Sequence, residues 1–155
     1  MQPDVTSITI LMADDDADDR LLTSEAMQES RLGNCIRFVE DGQELMDYLK
    51  CRGSFQDVER FPQPGLILLD LNMPRKDGRE ALREIKTDPL LRHLPVIVLT
   101  TSGAEEDIIR SYRFGVNSFI KKPVTFVGLV EALRSLGRYW LEIVELPGSH
   151  MGVRS

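Results

Sequence analysis

Asp14 and Asp15, Asp70, Thr100 and Lys122 each stand at the C-terminal end of an apolar, β-rich run: ITILMA, LILL, VIVL and SFIK. Open parallel α/β sheets bind ligands outside the carboxyl ends of their strands, so these positions would converge on one site if the runs share such a sheet. Three carboxylates suit a hard divalent cation, and a hydroxyl with an ammonium suits phosphoryl oxygens. Together they imply a magnesium-dependent phosphoryl site.

The elements that must position these residues alternate five times. The runs predict strands at Ser7–Ala13, Cys35–Val39, Gly65–Asp70, Val96–Thr100 and Asn117–Lys121. Three of them are nearly continuous apolar segments, as parallel strands covered on both faces require. Helices are expected at Ala17–Glu29, Gln43–Cys51, Arg79–Lys86, Ala104–Phe114 and from Phe126 to about Val144. Asp77 with Glu80, and Ser102 with Glu105, have the spacing of a capping box. The polar stretch from Arg52 to Pro64, with two prolines, reads as an exposed loop. The pattern predicts an α/β fold, a doubly wound five-stranded parallel sheet flanked by five helices, with an extended C-terminal helix.

The 155 residues fit one domain with a single core. A formal charge of −6 gives no electrostatic footprint for nucleic acid or an anionic membrane. No apolar run approaches the roughly 20 residues of a membrane span, and MQPDVTS lacks the features of a signal peptide. A cytoplasmic protein is expected, with Cys35 and Cys51 as reduced thiols.

Four motifs, in order and at the usual spacing, carry a resemblance: ILMADDDADD, LILLDLNMPRKDG, PVIVLTTSGAEED and FIKKP. Over about residues 8–136 the chain resembles the receiver domain of two-component response regulators, which have a flavodoxin-like fold. With DGREALREIK and the tail, it is similar to single-domain regulators that partner phytochrome-type histidine kinases. The resemblance implies Asp70 as phosphoacceptor, with Thr100 and Lys122 on the phosphoryl oxygens. It implies Mg2+ or Mn2+ held by Asp14, Asp15, Asp70 and the Asn72 carbonyl. Thr100 and Phe119 would form the switch, and Asn72 and Ser102 would line the entrance for attacking water. The Lys122–Pro123 bond is expected to be cis. Such a protein is a phosphoacceptor switch with self-catalysed phosphotransfer and autodephosphorylation. Its expected partners are a sensor histidine kinase and a histidine phosphotransfer protein.

Other readings compete at single residues. Asp16, Asp18 and Asp19 lie where negative charge opposes the helix dipole, so they read as capping and solubilising residues. Gly78 reads as a turn residue. A calcium loop would use Asp14, Asp16, Asp18 and Glu25, but Asp19 stands where that loop needs glycine. A haloacid-dehalogenase-like phosphatase would make Asp14 the nucleophile. It would leave Asp70 without a role, and the acids after Lys122 all fall inside one expected helix. An unphosphorylated adaptor is a further alternative.

Phe126, Leu133, Trp140 and Ile143 recur at helical spacing past the point where a minimal receiver would stop, and this apolar surface needs a cover. A homodimer contact through them is expected. The domain is expected to span 1–146. The remainder, 147–155, reads as a flexible tail whose GSHM resembles a cloning remnant.

Overall fold

The computed structural model describes residues 9–29, 35–100, 113, 115, 118–121 and 125–139. Five strands form one parallel sheet: β1 (Thr9–Ala13), β2 (Cys35–Val39), β3 (Leu66–Leu69), β4 (Val96–Thr100) and β5 (Ser118–Lys121), in the spatial order β2-β1-β3-β4-β5. The helices among the described residues are α1 (Ala17–Glu29), α2 (Gly42–Leu49), α3 (Gly78–Thr87) and α4 (Phe126–Tyr139). The helix expected at Ala104–Phe114 lies outside the described residues except for its helical Arg113. So do the Ser102–Glu105 cap and the helical extension beyond Tyr139.

Continuous apolar strands are explained by burial on both faces. Leu11, Ala13, Ile67, Leu69, Val96 and Val98 pack with α2 and α3. Their neighbours Ile10, Met12, Leu66, Leu68, Ile97 and Leu99 pack with Ala26 and Met27 of α1 and with Leu129, Val130 and Leu133 of α4. Alternating side chains thus serve two cores, and no polar face is left on these strands. Leu133, expected at a dimer contact, is committed to the second core instead. It is buried, while Phe126 and Val127 in the first turn of α4 are exposed.

Helix starts follow local chemistry. Asp16 Oδ1 accepts from the backbone N–H of Asp18 at 2.9 Å and of Asp19 at 3.4 Å, the capping role expected of this acidic segment. Asp77 caps α3 through Arg79 N at 2.7 Å and Glu80 N at 3.3 Å. At α2 the cap is Asp41, bonded to Glu44 N at 2.8 Å, while Glu44 Oε1 accepts from Glu40 N at 2.8 Å. That reciprocal pair starts α2 at Gly42, one residue before the sequence-based boundary.

The stretch from Arg52 to Pro64 is mostly exposed, as expected, but two aromatics anchor it. Phe55 and Phe61 are half-buried against the fully buried Tyr48, with ring centroids 5.2 and 5.9 Å from the tyrosine ring. The Tyr48 hydroxyl donates to the Pro62 carbonyl at 2.8 Å. Two aromatics within a polar segment therefore fold it onto α2. Tyr48→Phe should lower the unfolding free energy in urea by about 1 kcal/mol and quicken proteolytic cleavage within 52–64.

Candidate functional site

Register brings the carboxylates together. Ala13 pairs with Leu69, so the residues that follow, Asp14 and Asp70, leave adjacent strands side by side. The strand order reverses at this β1/β3 boundary, which opens a crevice beyond the carboxyl ends. Asp70 N donates to Ala13 O at 3.0 Å, and Asp14 N to Val39 O at 3.0 Å, locking both backbones to neighbouring strands. Asp14, Asp15 and Asp70 present carboxylate oxygens that all lie within 4.8 Å of one another.

Asp14 is wholly buried and Asp70 is 7% exposed, whereas Asp15 is open to solvent. Asp14 Oδ1 accepts from Asp16 N at 3.0 Å, and Asp70 Oδ1 from Asn72 N at 3.2 Å. These N–H groups offset part of the charge. Two unit charges at such a separation repel by roughly 1 kcal/mol even in a water-like dielectric, and by more when partly buried. The donor set fits a hard divalent cation, because all three groups offer anionic oxygen and none offers sulfur or imidazole.

The loop after Asp70 comes close in backbone terms. Gly78 is buried, and a Cβ there would overlap the Asp70 carbonyl oxygen. Glycine is required by that close approach, which corrects its reading as a turn residue. Gly78 N donates to Leu71 O at 2.9 Å, closing the base of the loop. Arg79 Nη1 reaches Leu71 O at 3.3 Å and Asn72 Oδ1 at 3.4 Å. Asn72 itself is exposed at the crevice side of the loop.

Across the next strand boundaries, Leu69 pairs with Val98 and Thr100 with Lys121. Thr100 therefore ends β4 on the same edge of the sheet as Asp70. Phe119 lies in β5 opposite Val98. Lys122 and the Lys122–Pro123 bond lie outside the described residues, as do Ser102, Trp140 and Ile143.

Several supporting residues were not expected from the sequence. Arg20 Nη1 donates to the Asp14 carbonyl at 2.8 Å, and Nη2 lies 3.6 Å from Glu40. Arg75 pairs with the buried Asp41, which holds the guanidinium above its ordinary pKa range, first by hydrogen bonding and then by charge. Arg75 sits at φ 60°, a region that costs a non-glycine residue about 1 kcal/mol or more. Asp41 had a legible signal, since it stands three residues before Glu44 at a helix start. Arg20 and Arg75 had none, because their partners are distant in the chain or on the backbone.

The response regulator receiver domain family matches residues 10–134, and the chain belongs to that family. It is 40% identical over 140 residues to the response regulator Rcp1 of Synechocystis, covering 90% of this chain and 93% of that protein. Among solved structures, the phosphorylated cyanobacterial phytochrome response regulator RcpA superposes with a TM-score of 0.80 at 40% identity, covering 87% of this chain and 94% of that one. The Mn2+-bound form of Rcp1 gives a TM-score of 0.79 at 39% identity, covering 88% and 96%. Receiver domains of this family are phosphoacceptor switches. Among the described residues, no helix is long and apolar enough to cross a membrane.

Charge repulsion at the site makes a stability prediction. Asp70→Asn removes one of three like charges, so in EDTA the variant should be more stable than the wild type by about 1 kcal/mol. Saturating Mg2+ should raise the wild-type melting midpoint more than that of the variant, as calorimetry would show.

Proposed function

We propose that Asp70 is the phosphoacceptor of a response regulator that takes its phosphoryl group from a sensor histidine kinase. The observation that carries this reading is the convergence of Asp14, Asp15 and the buried Asp70 within 4.8 Å at the sheet's switch point. Asp14, Asp15, Asp70 and the Asn72 carbonyl would hold Mg2+ or Mn2+. When bound, such an ion supplies positive charge to the carboxylates and to the phosphoryl oxygens.

A carboxylate oxygen of Asp70 attacks the phosphorus of the kinase phosphohistidine. The new P–O bond forms as the P–N bond breaks, and the imidazole nitrogen keeps the electron pair. No general base is needed, because a carboxylate carries no proton to remove. The Asn72 N–H, 3.2 Å from Asp70 Oδ1, helps to orient the carboxylate for attack. Lys122 and the Thr100 hydroxyl take the transferred phosphoryl oxygens in this reading, and Thr100 with Phe119 forms the switch. Asn72 and Ser102 govern water access, hence autodephosphorylation.

Similarity to the cyanobacterial phytochrome response regulator RcpA supports a phytochrome-type kinase as partner, and a histidine phosphotransfer protein is proposed as a further one. The protein acts in the cytoplasm as a single domain over 1–146, without binding nucleic acid or membrane. It pairs with a second copy through the C-terminal segment that carries Phe126, Trp140 and Ile143. Phe126, 40% exposed, begins that segment, and Trp140 and Ile143 supply further apolar side chains in the sequence.

Acid-quenched mass spectrometry after treatment with acetyl phosphate and Mg2+ should find one phosphoryl group, on the peptide containing Asp70. Asp70→Asn or EDTA should abolish it. Phosphate on Asp14, or steady turnover of a phosphomonoester, would instead mark a phosphatase. In sedimentation, Trp140→Asp should shift the protein towards monomer, and an unchanged dimer would exclude the helix contact.

A further inference from the structure

The turn between β2 and α2, residues 39–42, carries none of the expected ligands, yet it touches both loops that do. On one side Val39 O accepts from Asp14 N at 3.0 Å. Glu40 there pairs with Arg20, whose other terminal nitrogen holds the Asp14 carbonyl at 2.8 Å. On the other side Gly42 N donates to Lys76 O at 2.8 Å. A Cβ on Gly42 would overlap that same carbonyl oxygen, so the two loops meet at backbone distance.

Side chains reinforce the second contact. Asp41 is buried, with Oδ1 occupied by Glu44 N and Oδ2 accepting from Arg75 Nε at 2.8 Å and from Arg75 Nη2. Arg75 holds a left-handed backbone that glycine or asparagine adopts more readily. Helix capping does not explain this arrangement, because Asp41 caps α2 through its other oxygen. Global stability gives only part of the reason, because Asp41 is buried but the Arg75 side chain is 67% exposed and its charge is screened by solvent. The pair acts locally, on the far side of a loop whose base is closed between Leu71 and Gly78. Asn72 lies within that loop, and Asp70 leads into it.

We infer that the 39–42 turn is a brace that sets the spacing between the loop bearing Asp14 and Asp15 and the loop bearing Asp70 and Asn72, with Asp41 and Arg75 as positioning residues for divalent-cation binding. This rests on the metal-dependent receiver reading above. Releasing the pair loosens the tip of the 71–78 loop, which then rests on the Gly42–Lys76 backbone bond and the Lys76–Glu84 pair, while its base stays closed. The loop can then rotate about that base and carry the Asn72 carbonyl away from the aspartates. A site that needs near-ideal octahedral geometry is sensitive to such a shift.

The test is titration of the purified full chain with Mn2+, followed by the electron paramagnetic resonance signal of the free ion, alongside melting midpoints in EDTA. Arg75→Gly should weaken Mn2+ binding by about tenfold, the loss typical when a supporting contact behind metal ligands is removed. Its melting midpoint should fall little, since relief of the left-handed strain by glycine offsets part of the loss of the partner of Asp41. Asp41→Asn keeps a capping oxygen and should lose a similar factor, while the double variant should bind no more weakly than either single one. Wild-type affinity in both single variants would overturn the brace. Losses that multiply in the double variant, or that track a matching fall in melting midpoint, would overturn it too. If the wild type itself does not bind Mn2+, the metal-dependent reading falls, a result distinct from failure of the brace alone.

Discussion

Mutual repulsion among Asp14, Asp15 and Asp70 is the constraint on which the rest of this structure depends. Three carboxylate oxygens within 4.8 Å of one another, two of them on buried residues, form an arrangement that destabilises the metal-free fold. Backbone N–H groups from Asp16 and Asn72 compensate in part. The surrounding elements must hold the remainder against relaxation. They do so by fixing each aspartate's backbone to a neighbouring strand, through Val39 O for Asp14 and Ala13 O for Asp70.

Backbone proximity carries this constraint outward. Gly78 allows α3 to begin against the Asp70 carbonyl, and Gly42 allows α2 to begin against Lys76. Both sites exclude a Cβ for steric reasons, and neither needs a positive φ. The left-handed residue in the loop is Arg75, where strain is offset by a side-chain pair with Asp41. Strain of this kind persists only where neighbouring contacts over-determine the conformation. Here those contacts lie one loop away from the carboxylates.

Sequence revealed what depends on local pattern. The strands were legible because two-sided burial demands continuous apolar runs, and the carboxylates were legible because strand ends are marked by the first charged residue. Asp16 and Asp77 were legible as caps for the same local reason. Boundaries shifted where a cap decided them, as Asp41 starts α2 at Gly42. The Arg52–Pro64 segment was legible as an exposed loop, but its anchoring was not, because Phe55 and Phe61 find Tyr48 only in three dimensions. Helical spacing grouped Leu133 with Phe126, but burial varies along one helix face, and Phe126 lies in the exposed first turn. The Asp41–Arg75 pair spans 34 residues, and its backbone conformation has no signature in an arginine.

Sheet order also bears on how a change at the site can reach a surface. β3, which leads to Asp70, is flanked by β1 and β4, and a displacement there meets packed strands on both sides. β5 is an edge strand, paired only with β4. Thr100 ends β4 directly opposite Lys121 of β5, and Phe119 sits two residues earlier along the same edge strand. Interiors packed to crystal-like density transmit strain, and an edge strand has no outer partner to restrain it. A pull on the end of β4 is therefore resisted least on the β5 side, so the physical bias of the sheet directs it towards the strand that carries Phe119.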